Sequence, residues 1–370
     1  MSNKIRVGIT HGDPNGIGYE VILKALDDPR IPDLCTPIIY GSGKIANFYR
    51  KTFEGSGLGG ALQRADSAAD ARDGVCNIVN VVPEDTRIEP GTPSEEAGAA
   101  AFAALEAAVA DLREGNIDVL VTAPIDKHSI QSPTFTFPGH TEYLEASLGH
   151  EEEGESARAL MVMATADGLR VALATAHKPI SALAEALTKD LIREKLEAFN
   201  RSLRRDFGIH APRIAVLALN PHAGEQGLLG SEEKDIIEPA IAEARENKIL
   251  AFGPYAADGF FGAGHHKKFD GVLAMYHDQG LAPFKTLAMD AGVNVTAGLP
   301  YVRTSPDHGT GYDIAGKGMA SEESMRNAIY MALDIYRNRR RDSEAFRNPL
   351  RRQYHNKGKD SEGIDLSKDS

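Results

Sequence analysis

The sequence predicts an α/β protein built on a largely parallel sheet. Three observations carry this reading. Short β-branched runs recur along the chain, longer stretches with helical spacing of apolar residues separate them, and the glycines fall in short clusters rather than in a repeat. Of 370 residues, 42% are apolar and 25% charged, the balance of an ordinary folded protein. The length is that of two domains or one large one.

The first strand is Ile5–Thr10 (IRVGIT), followed by a turn and a helix over Ile17–Leu26. Pro37–Gly41 and Val75–Val82 read as the next strands. Ser94–Glu114 is an Ala-rich helix in which Ser94 caps the first turn and Glu95 and Glu96 favour its positive end. Strands follow at Ile117–Thr122, Ala159–Ala164, Arg170–Thr175, Arg213–Leu219, Gly271–Tyr276 and Gly292–Thr296. Helices are expected over Lys189–Phe207, Ser231–Asn247 and Ser321–Arg337. Residues 142–155 hold six Glu and no Lys or Arg, which reads as a solvated helix end and loop away from the functional motifs. Arg337–Arg352 is Arg-rich and reads as a solvated helix or subunit contact, and Lys357–Ser370 as a frayed tail.

Charge and composition narrow the function. Lys and Arg number 41 against 53 Asp and Glu, a formal charge of −12, so a phosphate-neutralising face for nucleic acid is not expected. Cys35 and Cys76 are the two cysteines, too few for a disulfide framework, so a metal site would rest on imidazole and carboxylate. No apolar run approaches the ~18 residues that span a bilayer, and the N-terminus lacks the signal-peptide pattern; the expected location is the cytoplasm. Gly55–Gly60 (GSGLGG) matches G-x-G-x-x-G but follows KTFE rather than a buried strand, which removes its meaning as a dinucleotide loop.

Four constellations remain. His177, His222 and His277 each follow an expected strand, and strand ends of a parallel sheet converge on one edge. Three imidazoles there would make a divalent-metal site with an open position, with Asp258 and Asp278 as carboxylate partners or proton carriers; each imidazole alone also suits a structural role. Lys285, Asn294 and Arg303, with Thr304 and Ser305, flank one strand and suit an anion or plain surface charge. Ser305–Gly318 (SPDHGTGYDIAGKG) is either a turn-rich connection or a ligand loop in which Asp307 and Asp313 meet ribose hydroxyls. Thr10–Gly18 (THGDPNGIG) could offer backbone N–H groups to an anion at a helix start.

Taken together, GDPNGIGYE (12–20), TAPIDK (122–127), FPGHTEYL (137–144), ATAHKPI (174–180), LNPHAGE (219–225), FDGVLAMYHDQGLAPFK (269–285), NVTAGLP (294–300) and RTSPDHGTGYDIAGKG (303–318) resemble the 4-hydroxythreonine-4-phosphate dehydrogenase family of pyridoxal phosphate biosynthesis. The resemblance runs from the first strand to about residue 320. Asn15 and Tyr19 depart from the family's usual GDPAGIGPE, and Lys127–Phe137 differs from many members.

The resemblance implies an isocitrate/isopropylmalate dehydrogenase-like fold without a Rossmann fingerprint. Two α/β lobes would flank a cleft, residues 1–130 plus 305–370 forming the lobe with the nucleotide loop and 131–304 the lobe with most metal and substrate residues. It implies His177, His222 and His277 as ligands of a divalent metal (Zn, Mg, Mn or Co). His140, Thr141, Lys285, Asn294 and Arg303 would contact substrate, and His308, Gly309, Asp313, Gly316 and Gly318 would bind NAD or NADP. Asp258 and Asp278 are the acid/base candidates. The implied reaction oxidises 4-phosphohydroxy-L-threonine at C3 and then loses carbon dioxide, giving 3-amino-2-oxopropyl phosphate, in a homodimer whose sites are shared across the interface. The alternatives are a paralogue acting on 4-phospho-threonate or 4-phospho-erythronate and, more distantly, a metal-dependent hydrolase.

Overall fold

The computed structural model describes residues 4–52, 62–149 and 158–347. The Gly55–Gly60 segment, the Glu151–Glu155 part of the acidic stretch and the tail from 357 lie outside them. Among the described residues twelve strands form one sheet: β1 (Ile5–Thr10), β2 (Cys35–Gly41), β3 (Gln63–Ala65), β4 (Asn77–Asn80), β5 (Val119–Thr122), β6 (Leu160–Ala164), β7 (Arg170–Leu173), β8 (Arg213–Leu217), β9 (Leu250–Tyr255), β10 (Gly271–Ala274), β11 (Val293–Ala297) and β12 (Val302–Pro306). Their order is β3-β4-β2-β1-β5-β12-β11-β6-β7-β10-β8-β9. Neighbours are parallel except at the centre, where β12–β11, β11–β6 and β6–β7 are antiparallel. The expected largely parallel α/β fold is what forms.

The strands read as apolar runs because both faces are covered. On β2, Ile39 joins one core cluster while Ile38 and Tyr40 join another. On β8, Ile214 and Val216 face one way and Ala215 and Leu217 the other. On the first face the core is continuous: Val7, Val121, Val302, Val293, Val162, Ala172 and Val216 belong to one cluster, with the helices Gly18–Leu26, Lys189–Arg205 and Glu323–Arg347 over it. On the second face the core is split. One cluster lies under the helices Glu95–Glu114 and His140–Leu148, and a separate one under the helices Ala257–Gly262 and His277–Ala288. The gap between these clusters lies over the central strands, and the candidate site occupies it.

Several expected boundaries move, each for a local reason. Ser94 does cap its helix, its Oγ accepting from Ala97 N at 3.2 Å. The segment expected as one helix over Ser231–Asn247 is a π-turn (Glu233–Ile237) followed by the helix Glu238–Glu246. Pro239 has no N–H to return to the carbonyl four residues back, so the turn widens there. The last helix continues past Arg337 to Arg347 because Arg339 is buried, donating to Asp206 Oδ1 at 2.7 Å and to the carbonyls of Leu299 and Pro300. The edge strand β9 was missed: its Gly253 and Pro254 break the pattern, and an edge tolerates proline because one side needs no N–H. Ser305 and Pro306, expected in a loop, end β12.

Candidate active site

Strand alternation builds the floor of the cleft. Asn294 on β11 lies opposite Ser305 on β12 and Met163 on β6, Thr296 opposite Met161, and Arg303 opposite Leu120 on β5. Residues directly opposite share a face, so these side chains all stand on the split-core face while their neighbours Val293, Val295 and Val302 enter the continuous core. A cavity of about 300 Å³ opens above them, lined among others by Thr122, Lys127, His140, Thr141, Glu142, His177, His277, Lys285, Asn294, Arg303, Asp307 and His308. All five expected substrate residues are therefore brought together.

Arg303 is 3% exposed. Its Nε and Nη2 donate to Thr122 Oγ1 at 3.1 and 2.6 Å, and Nη1 donates to Thr296 Oγ1 at 3.0 Å. Its hydrogen-bond acceptors are neutral hydroxyls, and it takes part in none of the ion pairs among the described residues. Burial pushes its pKa down to about 9, against the weaker pull of Glu142, so it stays cationic at neutral pH. A buried cation without a counter-charge costs several kcal/mol, which a bound anion relieves.

The surrounding groups fit that anion. His140 begins its helix with a ring that burial, then the charges of Arg303 and Lys127, hold neutral by pushing its pKa well down. Lys285 Nζ lies 3.3 Å from Asp307 Oδ1. Burial raises the Asp307 pKa, although Lys285 opposes the rise. His140 Nε2, Asn294 Oδ1, Asp307 Oδ2 and His308 Nε2 are buried polar atoms with no partner. Buried polar atoms are ordinarily paired, so four on residues around one cavity mark a place where ligand or water completes the bonding.

The imidazoles divide. β7, β10 and β8 are adjacent and parallel, so His177, His277 and His222 leave the sheet at one edge, as expected. His177 and His277 meet in the first cavity, with ring centroids 6.1 Å apart. Asp278 Oδ1 lies 2.7 Å from His277 Nδ1. A carboxylate accepts, so Nδ1 carries the hydrogen and Nε2 keeps a lone pair for a metal. His177 Nδ1 lies 3.7 Å from Glu142 Oε1. His222 does not join them; it lines a second cavity of about 500 Å³ with Asp258, Asp278 and Asn220. Among the described residues no three His, Cys, Asp or Glu side chains are placed to hold one ion. Within one chain the three imidazoles therefore stand as two plus one, His222 riding on a turn that leads it away. As a donor set, paired imidazole nitrogens beside carboxylates, with no thiolate, fit Zn, Mn or Co better than Mg, which favours oxygen.

That turn is unusual. His222, Ala223, Gly224, Glu225 and Gln226 have φ between 45° and 74°, one turn of left-handed helix. For a residue with a Cβ this costs roughly 1–2 kcal/mol.

The Gly-rich loop lies beside the cleft. His308 and Gly309 line the first cavity, Gly309 facing open space, while Asp313 and Gly318 are exposed further along. This open, glycine-rich surface fits a nucleotide. Asp307, expected to meet a ribose, instead faces Lys285. The N-terminal turn braces the loop: Ile17 N donates to Thr310 O at 2.8 Å and Tyr312 Oη to Asp13 Oδ2 at 2.8 Å. Its amides at Asp13, Asn15 and Gly16 are spent on Pro124 O, Asp13 Oδ1 and Asp13 O, so these three are not offered to an anion as expected. Of the two departures, Asn15 bonds Thr92 O and Ser94 Oγ, and Tyr19 stacks between His11 and Tyr49.

Reading by motif missed Thr122, Lys127 and Glu142 as cleft residues. Glu142 also corrects the reading of the acidic stretch as remote: it shares a helical turn with His140. The usable signal was Thr122 at the end of an apolar strand, where alternation points it to the cleft.

A split-core α/β sheet with a buried guanidinium at the bottom of its cleft defines a cleft-type α/β protein with a built anion site. The family model for pyridoxal phosphate biosynthetic protein PdxA matches residues 33–332. A Bacteroides thetaiotaomicron 4-hydroxythreonine-4-phosphate dehydrogenase is 56% identical over 364 residues, 98% of each chain. The crystal structure of the Klebsiella pneumoniae 4-hydroxythreonine-4-phosphate dehydrogenase aligns with a TM-score of 0.76 at 34% identity, covering 90% of this chain and 98% of that one. A Cutibacterium acnes relative, provisionally named a D-threonate 4-phosphate dehydrogenase, is 38% identical over 335 residues, 90% of this chain and 94% of its own. The chain belongs to the PdxA family.

Proposed function

We propose that the chain is an NAD(P)- and divalent-metal-dependent 4-hydroxythreonine-4-phosphate dehydrogenase of pyridoxal phosphate (vitamin B6) biosynthesis. It would oxidise 4-phosphohydroxy-L-threonine at C3 and release carbon dioxide, leaving 3-amino-2-oxopropyl phosphate. The observation that carries the reading is Arg303, a buried cation at the floor of a cleft with no ion pair among the described residues.

Arg303 and Lys285, with His140, Thr141 and Asn294, bind the substrate's phosphate and carboxylate. Neutral His140 can donate to an oxyanion without adding charge. His177, His222 and His277 hold the metal, and Asp278 fixes the His277 tautomer. Asp278 is engaged by that bond, so Asp258, which lines the second cavity beside His222, would take the proton of the C3 hydroxyl where the second chain completes the site. His308, Gly309, Asp313, Gly316 and Gly318 form the nucleotide surface. When bound, the metal and the nicotinamide supply Lewis acidity at the substrate oxygen and acceptance of the C3 hydride.

His222 stands apart from its two partners, so the metal site is completed by a second copy of the chain in a homodimer. Ile180 and Leu228, each 80% exposed and close in sequence to His177 and His222, supply apolar surface for it. The lobes would be 1–130 plus 305–370 and 131–304, a division whose boundary at 305 falls inside β12. No described helix is long and apolar enough to cross a membrane, in keeping with a cytoplasmic enzyme.

The test is NAD and NADP reduction with 4-phosphohydroxy-L-threonine, with and without chelator. Expected is chelator-sensitive absorbance at the reduced nicotinamide band; phosphate release without reduction would instead mark a hydrolase. The Cutibacterium acnes relative favours a second reading, D-threonate 4-phosphate as substrate. Running both substrates side by side separates the two.

A further inference from the structure

Against the left-handed turn at 222–226 lies a buried carboxylate that no part of the proposed reaction uses. Glu233 lies in the π-turn after β8 and is 3% exposed. Its Oε1 accepts from the backbone N–H of Leu219 at 2.8 Å and of Asn220 at 2.7 Å, and its Oε2 accepts from Asn220 Nδ2 at 3.0 Å. These bonds take the amides that would otherwise extend β8, so the strand stops at Leu217 and the chain turns out toward His222. The fit is close. A Cβ on Gly224 would lie 2.5 Å from Glu233 Oε2, so only glycine lets the turn lie down on the carboxylate. Below the clamp, Gln279 Nε2 donates to Ala218 O at 2.6 Å while its Oε1 accepts from Met275 N at 2.7 Å, tying this segment to the one that carries His277.

A left-handed run of residues bearing side chains does not persist without such support. We propose that Glu233 is a positioning residue: it clamps the left-handed turn and so fixes the direction of the His222 imidazole. This rests on the proposed metal role of His222, and the experiment separates the two.

The probe is Co(II), titrated calorimetrically into the metal-free full-length protein, with amide hydrogen exchange measured on the same samples. Glu233→Gln keeps the volume and one oxygen, but that oxygen is uncharged and accepts the two backbone N–H groups more weakly, while its NH2 faces Asn220 Nδ2, donor against donor. Expected is a 10–100-fold loss of Co(II) affinity, the range for residues that orient metal ligands, together with faster exchange at Leu219 and Asn220. Glu232→Gln, which touches the Asn220 side chain and not the backbone, should leave both readouts near the parent's. His222→Ala is the reference. If it also binds Co(II) like the parent, the metal reading fails, and the exchange result decides the clamp alone. If His222→Ala loses affinity while Glu233→Gln keeps both parental affinity and parental exchange, the clamp proposal is overturned. Should Glu233→Gln melt far below the parent, Glu233→Asp serves instead: its shorter carboxylate stays charged, and the same two readouts apply.

Discussion

The two cavities of this chain are built in opposite ways. In the first, the decisive group is a buried guanidinium on a central strand, held by hydroxyls from β5 and β11. In the second, the decisive group is an exposed imidazole on a left-handed turn, held through backbone amides by a carboxylate eleven positions later in the sequence. A strand costs nothing extra to point a side chain one way, so it can carry an expensive buried charge. A turn that must reach outward accepts backbone strain instead. The anion-binding candidates converge on one cavity within the chain, whereas the metal site, on the proposed reading, needs a second chain.

The comparison can be broken at its strong end first. Arg303→Met should raise KM for the phosphorylated substrate by on the order of 10²–10³, the 2–5 kcal/mol typical of losing a buried charge partner. KM for the nucleotide should hardly move, and the fold should not weaken, because an unpaired buried charge is gone. Steady-state kinetics in both substrates checks this, and a rise confined to the nucleotide would contradict the anion site.

At the other cavity, His222→Ala should cut turnover by on the order of 10²–10³, comparable to loss of an electrostatic stabiliser, with the circular dichroism spectrum and melting temperature retained. Activity unchanged by both this substitution and a chelator would remove the metal from the scheme.

A third contrast concerns a buried imidazole that lines neither cavity. His11 is fully buried, and its face stacks on Tyr19. Burial lowers its pKa from the ordinary 6.5 to about 4, so the unfolded chain binds the proton more readily. The stability contributed by neutral His11 is complete above pH 6.5 and is lost as pH falls toward 4, amounting to roughly 3 kcal/mol. His11→Phe keeps the stack and should flatten the stability profile across that window in urea melts; a profile as steep as the parent's would contradict it.

The smallest effect expected is at Thr122. Thr122→Val removes the acceptor shared by two Arg303 donors and should cost about 1–3 kcal/mol of stability, recovered in part when a phosphorylated ligand is present. Thermal melts with and without ligand make the comparison.

Much of this was legible in the residues. The alternating strands and helices, the Ser94 cap and the grouping of Lys285, Asn294 and Arg303 followed from pattern and motif. What was not legible depended on partners distant in sequence. β12 was hidden because Arg303, Thr304 and Ser305 look polar and loop-like; they are a strand only because β5 and β11 flank them. The helix His277–Ala288 was hidden by Gly280 and Pro283, yet Gly280 is needed where the helix crosses Val171 and Leu173. The left-handed turn was invisible because no local preference of His, Ala, Glu and Gln predicts it; Glu233 imposes it from outside.

The sheet runs without interruption through the seam of the cleft, from β5 across β12 and β11 to β6. The two halves are therefore not jaws on a tether but parts of one elastic plate. Widening the cleft would bend hydrogen-bonded ladders that both halves share. The floor carrying Arg303 belongs to those same ladders, so any such bend would pass through the anion-binding candidates themselves.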